Sequence, residues 1–274
     1  MKVGVIGLGL MGYPIASSLH SRGHEVISWT RKPRAYPWFN STDLSNYNSQ
    51  ELDFLVVASG NARPSLGGVN SEMMSTYDLV SDHGQEDGPR VIYLSSGAVY
   101  GECVEIRSES DPANPSTEYG FAKFAVEQAF LSLYGKNFCS LRIGNVIDWD
   151  SPYGVLRAMS KALTQRRIDF YGDPTDCRDY ISIQDLTLTV SKIVESQIFP
   201  NILNVGSGVE VQLGELAVIL NDYLRGDIKI TWQEIGIGQL KETKLDVSKL
   251  KSTFGVLPKN PREIFSEFLN RGDS

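Results

Sequence analysis

The 274-residue sequence predicts an α/β fold in which a doubly wound parallel sheet, covered by helices, is followed by a smaller C-terminal substrate lobe. Three observations carry this. Short apolar runs rich in β-branched and aromatic residues recur at 3–6, 25–29, 54–58, 91–94 and 138–143. Helical spacing follows the first run and separates the later ones, and such alternation implies parallel strands buried on both faces. Beyond residue 150 the alternation loses regularity. The expected division is therefore a main domain over 1–149, with a return segment near 181–205, and a smaller lobe over 150–274.

Taken in order, the opening reads as strand (3–6), glycine-rich turn and helix (11–21), and 25–29 is the second strand. Residues 31–48 are polar, aromatic and poorly periodic where a full strand and helix would stand, so this edge of the sheet is expected to be abbreviated. The Gly/Pro/Asp-rich stretch 171–176 reads as a loop. The helix expected over 118–134 carries Phe121, Phe124, Ala125, Phe130 and Leu131 on more than one face. That pattern suits packing on the sheet and on a twin subunit, or a wholly internal core. No repeat or low-complexity segment interrupts the chain.

Composition narrows the function classes. A hydrophobic content of 41% suffices for a large core, and a net charge of -7 with pI near 5.1 argues against broad binding to nucleic-acid phosphates. Cys103, Cys139 and Cys177 are odd in number and form no C-x-x-C pair, which indicates neither a disulfide framework nor a thiolate metal site. His20, His24 and His83 lack partners at metal-site spacing, so no metal is expected. No apolar run approaches the ~18 residues of a membrane span. Lys2 and the apolar stretch 3–16 imitate a secretory signal, but the glycine spacing and single basic residue favour a cytoplasmic first strand. The terminal Arg271-Gly272-Asp273-Ser274 looks like an integrin tripeptide and is given no function, being a charged chain end.

Gly7-Leu8-Gly9-Leu10-Met11-Gly12 matches G-x-G-x-x-G between a strand and a helix, the context of a Rossmann-type dinucleotide site. The first glycine permits the tight turn, the second admits a pyrophosphate against the backbone, and the third lets helix and strand pack closely. Phosphates would sit at the helix N-terminus beside Leu10 and Met11. An acidic residue normally ends the second strand where the ribose 2′-hydroxyl of NAD is read. Thr30, Arg31 and Lys32 stand there instead, and a guanidinium beside an ammonium suits a 2′-phosphate, so NADP(H) is favoured over NAD(H). The alternative is a solvated basic turn. Ala58 and Ser59, ending the strand over 54–58, complete the expected cofactor contacts.

The run 91–94 leads into Ser95-Ser96-Gly97-Ala98-Val99-Tyr100-Gly101, two hydroxyls at the carboxyl end of a strand, where open α/β sheets bind ligands. Tyr119-Gly-Phe-Ala-Lys123 sets a phenol and an ammonium on one helical face. The ammonium is expected to lower the tyrosine pKa so that the phenol exchanges a proton near neutral pH. A lone Y-x-x-x-K is common on surfaces. Its position after the glycine fingerprint and the serine-bearing strand end is what gives it weight.

These motifs, with Glu109-Ser110-Asp111-Pro112-Ala113-Asn114-Pro115 before Tyr119, Leu141-Arg-Ile-Gly-Asn145-Val, and Tyr171-Gly-Asp-Pro-Thr-Asp-Cys-Arg178-Asp179-Tyr180-Ile-Ser-Ile-Gln-Asp185, resemble the extended short-chain dehydrogenase/reductase family of the nucleotide-sugar epimerase/dehydratase type. The resemblance covers nearly the whole chain. It implies that Ser96, Tyr119 and Lys123 are catalytic, that Tyr119 and Lys123 also touch the cofactor, and that Ser96, Asn145 and Arg178 bind a nucleotide-sugar substrate, Arg178 at its diphosphate. Arg178 has a second reading as a structural partner of Asp179 or Asp185. Leu203-Asn204-Val205-Gly206-Ser207-Gly208 and Leu245-Asp246-Val247-Ser248-Lys249-Leu250 resemble late scaffold segments. Asp148, Trp149, Tyr153 and Arg157 lie where a substrate loop would form. Family members pair as dimers, so a homodimer is expected.

Departures from the family pattern matter. The family usually has G-x-x-G-x-x-G, and this shorter form leaves the pyrophosphate contacts open. Gly97 and Ala98 stand where the dehydratases carry Asp-Glu, which argues against water elimination. The chain is also short, suggesting a trimmed substrate lobe. The resemblance thus implies NADPH-dependent reduction of a keto group on a nucleotide-activated sugar, of the 4-keto-6-deoxyhexose kind. The nearest alternative is an NAD-dependent 4-epimerase, which Arg31 and Lys32 disfavour. An NADP-binding sensor or scaffold is the alternative of another class, disfavoured by the joint presence of Tyr119 and Lys123.

Overall fold

The computed structural model describes residues 1–31, 35, 41–48, 51–59, 88–102, 105–149, 151, 154–234, 240 and 243–271. Lys32, His83, Cys103, Asp150, Tyr153 and the terminal Gly-Asp-Ser lie outside them. Seven strands, β1 (Lys2–Ile6), β2 (Glu25–Thr30), β3 (Ser41–Asp43), β4 (Phe54–Val57), β5 (Arg90–Leu94), β6 (Phe138–Ile143) and β10 (Ile202–Val205), form one sheet in the order β10-β6-β5-β4-β1-β2-β3. Every neighbouring pair is parallel. The fold is the doubly wound Rossmann type that the alternating runs predict. At the β2 edge the described residues hold the three-residue β3 and a 3-10 turn, Leu44–Asn46; residues 32–34 and 36–40 of the stretch expected to be abbreviated lie outside them.

The central strands are apolar on both faces because both are covered. Helix α1 (Gly12–Ser21) packs with α4 (Ile183–Glu195) on one side, where Ile15, Leu19, Leu186 and Val190 meet Val3, Val5, Ile92 and Leu94. On the other side α2 (Glu118–Tyr134) presents Val126, Phe130 and Tyr134 to Ile6, Val91, Tyr93 and Phe138. Thr117 caps α2, its Oγ1 accepting from the Gly120 N–H at 3.0 Å, and Gly135 at φ +49° ends it. Phe121, Ala125 and Leu131 of α2 remain exposed. The segment 245–256, with its helix α6 (Ser248–Phe254), also belongs to this body, since Leu245, Val247, Leu250, Phe254 and Val256 join the core on the α1 side.

A second core lies beyond β6. β7 (Asn145–Ile147), β9 (Cys177–Ser182) and β11 (Glu210–Gln212) form a small mixed sheet, and β8 (Arg167–Tyr171) pairs with β12 (Lys229–Gln233). α3 (Val155–Gln165), α5 (Leu213–Tyr223) and α7 (Pro261–Arg271) supply Met159, Leu216, Leu220 and Phe265 to it. Residues 172–176 form the loop between β8 and β9.

Asp179 joins the two bodies. Its carboxylate accepts from the Ser207 N–H (2.7 Å), the Ser207 hydroxyl (2.9 Å) and the Gly208 N–H (3.1 Å), just past β10. Burial outweighs these bonds and pushes its pKa up to about 6. The folded protein therefore binds a proton at Asp179 that the unfolded chain releases near 3.8. This contribution, on the order of 3 kcal/mol, is present below pH 3.8 and is lost as pH rises through about 6. Urea denaturation from pH 4 to 7 should show that falling component. Asp179→Asn should remove it, while lowering stability throughout because the amide nitrogen opposes an N–H donor.

Candidate active site

The order of the sheet reverses between β1 and β4, opening a crevice at their carboxyl ends. The Gly7 N–H donates to the Trp29 carbonyl at 2.9 Å, and at φ +88° a side chain at Gly7 would meet the Ser59 backbone. A Cβ at Gly12 would collide with the Gly7 carbonyl oxygen and crowd Ala58. Gly9 differs: nothing lies within 4 Å of where its Cβ would be. Two glycines thus serve the chain's own crossing, and the third leaves room. Leu10 is exposed, and Met11, at the N-cap of α1, provides no side-chain acceptor; nor does an acidic residue occupy the first turn. This positive, uncapped helix end beside an open glycine fits a dinucleotide pyrophosphate. Thr30 ends β2 half-buried, with Arg31 exposed beside it.

Ser96 leaves β5 in an extended conformation, its hydroxyl oxygen accepting from the Ala98 N–H at 3.2 Å and capping the 3-10 turn Gly97–Tyr100. The Ser96 side chain also acts on the Tyr119 phenol as a hydrogen-bonding group that lowers its pKa. Lys123, one turn along α2, is buried at 4% exposure. Its ammonium donates to the Leu94 carbonyl at 2.7 Å and lies 4.7 Å from the Tyr93 ring centroid. Ser96, Tyr119 and Lys123 therefore meet at the end of β5.

The electrostatics correct one expectation. Lys123 does not pull the Tyr119 phenol down: burial pushes Tyr119 up to about 12, opposed by the Ser96 hydrogen bond. The ammonium is 5.8 Å from the Tyr119 ring centroid, and burial draws Lys123 itself down to about 8, against the carboxylate of Glu127. Desolvation dominates here over charge proximity. At neutral pH Tyr119 holds its proton and is equipped to give it away.

Arg178 and Asn145 stand at the border of the second core. Arg178 is half-buried on β9 and donates to the Cys177 carbonyl at 3.0 Å. Asp179 points to the opposite face of the strand toward Ser207, and Asp185 accepts from the Ser182 hydroxyl (2.6 Å) and the Lys259 N–H (3.1 Å). Asn145 is exposed on β7, its amide reaching the Asp179 carbonyl at 3.4 Å. Thr243 borders the same region, since a Cβ at Gly97 would touch its methyl at 3.0 Å. Trp149 packs on Phe268, with ring centroids 5.7 Å apart, and Arg157 is exposed on α3. Asp148 is half-buried.

Two groups behind the site have contacts that a motif reading does not reveal. Glu127 is buried among Ser95, Ser140 and Arg142. Asn204, fully buried on β10, accepts from the Tyr100 hydroxyl (2.8 Å) and donates to the Arg107 (2.8 Å) and Asp246 (3.1 Å) carbonyls. The available signal was polarity out of place: Ser140 and Arg142 share one face of an otherwise apolar strand. Among the described residues no cluster of three His, Cys, Asp or Glu side chains forms a metal site, and no helix is long and apolar enough to cross a membrane.

Residues 3–206 match the NAD dependent epimerase/dehydratase family. The chain belongs to this family. Over 289 residues it is 28% identical to the dTDP-6-deoxy-L-talose 4-dehydrogenase (NAD(P)(+)) of Kitasatospora kifunensis, covering 94% of this chain and 91% of that one. It is 30% identical over 179 residues to the dTDP-4-dehydro-6-deoxyglucose reductase of Escherichia coli, covering 62% and 56% of the two chains. In fold it superposes on the UDP-glucuronic acid 4-epimerase of Bacillus cereus, solved with UDP-glucuronic acid and NAD, with a TM-score of 0.83 and 18% identity over 98% and 97% of the chains.

The glycine geometry separates two roles experimentally. Gly12→Ala should destabilise the fold by about 1–3 kcal/mol through overpacking, read as a lower denaturation midpoint. Gly9→Ala should leave that midpoint unchanged while weakening dinucleotide binding measured by calorimetry.

Proposed function

We propose that this family member is an NADPH-dependent reductase of a keto group on a nucleotide-activated sugar, of the 4-keto-6-deoxyhexose class. The observation that carries the reading is the meeting of Ser96, Tyr119 and Lys123 beside the uncapped end of α1, with the Tyr119 phenol protonated at neutral pH. Reduction needs a proton donor at the new hydroxyl, and a phenol raised to about 12 is matched to a developing alkoxide. The substrate class rests on the near full-length similarity to the talose dehydrogenase, supported by the reductase.

In this reading Gly7, Gly9, Leu10, Met11 and Gly12 hold the pyrophosphate, with Ala58 and Ser59 on the β4 side, and Thr30, Arg31 and Lys32 take the 2′-phosphate. A bound nicotinamide supplies the hydride. Tyr119 gives its proton to the carbonyl oxygen, and Ser96 hydrogen-bonds that oxygen as charge develops on it. Lys123 would hold the nicotinamide ribose of a bound cofactor and, when Tyr119 loses its proton, offset the phenolate charge. Arg178 and Asn145 orient the nucleotide diphosphate. Residues 1–144, with the return near 181–205 and the segment 245–256, form the cofactor domain in this reading, and the second core reads the sugar. The exposed Phe121, Ala125 and Leu131 face of α2 is assigned to pairing with a second copy, in a cytoplasmic homodimer.

Titration with NADPH and NADH, followed by nicotinamide fluorescence, tests the cofactor assignment: NADPH should bind more tightly, and Arg31→Ala should erase the preference. With a dTDP-4-keto-6-deoxyhexose, NADPH should be consumed, and Tyr119→Phe should reduce turnover by about 10²–10⁴-fold while still binding NADPH. Retained NAD(H), no NADPH preference and interconversion of sugar epimers without net redox change would replace the reductase by a 4-epimerase. Retained biological output in a Tyr119→Phe protein that no longer turns over would instead indicate a sensor.

A further inference from the structure

The proposed chemistry uses Tyr119 and Lys123 but gives no task to Glu127, one turn further along the same ridge of α2. Its carboxylate is 2% exposed and fully engaged. Oε1 accepts from the Ser95 hydroxyl at 2.5 Å and the Ser140 hydroxyl at 2.8 Å, and Oε2 accepts from Arg142 Nη2 at 2.9 Å and Nε at 3.3 Å. The groups facing this pocket are Tyr93 from β5, Ser95 from the strand exit, Ser140 and Arg142 from β6, and Lys123 from α2 itself. Tyr100 closes the far side, its ring centroid 4.6 Å from the Arg142 guanidinium.

A buried charge is tolerable only with a partner, and the Arg142 guanidinium supplies one to the Glu127 carboxylate at 2.9 Å. The consequence passes along the helix. Lys123 sits in a dry seat made by the Leu94 carbonyl and the Tyr93 ring, neither of which carries a formal charge. Desolvation there favours the neutral amine, and Glu127 is the anion that opposes it. Glu127 also grips Ser95, the residue preceding the Ser96 hydroxyl.

We propose that Glu127 is a positioning residue for the reaction, an anion fixed by Arg142, Ser95 and Ser140 that keeps the buried Lys123 ammonium charged and seated behind Tyr119. This assignment rests on the oxidoreductase reading of the site, but its mark on Lys123 exists without substrate or cofactor. Glu127 touches neither; it acts through Lys123 and through the Ser95–Ser96 strand exit.

The test is a titration of the full-length, ligand-free protein labelled with ¹³C-lysine, following the Lys123 Cε resonance against pH and assigning it by its loss in Lys123→Met. Glu127→Gln should lower the Lys123 inflection by about one pH unit or more, and Glu127→Asp, which keeps the charge, should stay near the wild type. Should Glu127→Gln strand Arg142 and fail to fold, the pair Glu127→Gln with Arg142→Met removes both charges and should show a fall in the same direction, smaller because the loss of the Arg142 cation offsets part of the loss of the anion. An unmoved inflection in either folded variant overturns the proposal, because a merely structural Glu127 would alter stability and leave Lys123 alone. The alkaline limb of the kcat/KM profile, where the ammonium is lost, should move to lower pH with the inflection. A chain that reduces no keto sugar yet shows the fall in Lys123 would refute the substrate assignment and leave this one standing.

Discussion

The Glu127–Arg142 ion pair lies where β5, β6 and α2 converge, and the geometry of the candidate site depends on it. The pair is almost wholly removed from solvent, at 2% side-chain exposure for Glu127 and 3% for Arg142, so each charge is tolerable only because the other is there. Replacing both with apolar groups would cost little; losing one would leave an uncompensated charge in the core. Such a pair fixes register more than it adds stability. It determines which residues of β6 stand opposite which turn of α2, and through Ser95 it fixes where β5 ends.

From that anchor the rest of the crevice follows by packing. α2 lies on the sheet through Phe130 and Tyr134, with Phe130 meeting Tyr93 edge-on at 5.6 Å and tilted against Phe138 at 5.8 Å. These contacts bring the N-terminal turns of α2 over the end of β5, which is why Tyr119 and Ser96 meet. On the far side of the reversal, the Gly7–Gly12 crossing draws α1 so close to β1 and β4 that the free N-terminus of α1 opens into the same crevice. A hydride donor and a proton donor can face one substrate carbonyl only when both constraints hold.

Much of this was legible in the sequence, and the reason is local. The glycine fingerprint, the serine-bearing strand exit and the Tyr119–Lys123 spacing are each encoded within a few residues, so chain order alone suggests their use. The central strands were visible as apolar runs because both of their faces are buried. What was not legible depends on partners distant in the chain. Glu127 four residues after Lys123 reads as an ordinary helical ion pair until β6 brings Ser140 and Arg142 beneath it. The protonation of Tyr119 was misjudged because spacing reveals a nearby charge but not how much water the fold removes. Asn204 looked like scaffold, and is, but its grip on residues 107 and 246 arises from segments far apart in sequence. The entry of 245–256 into the main core has the same origin.

The junction at Gly144 and Asp179 bears on how such a chain can diverge. A side chain at Gly144 would strike the Asp179 carbonyl, and Asn145 pairs with Tyr180, so the excursion between them leaves and rejoins the body at nearly the same place. Once that pairing closes the excursion, lengthening one of its exposed loops costs little, since each doubling of loop length adds only about 0.6 kcal/mol of closure entropy. Its packed elements are not free in this way, because Met159 of α3 and Ile168 of β8 are buried in the second core. The junction is an evolutionary socket: lineages can exchange the loops carried beyond it, reshaping the part of the chain that would read the sugar, without rebuilding the machinery behind it.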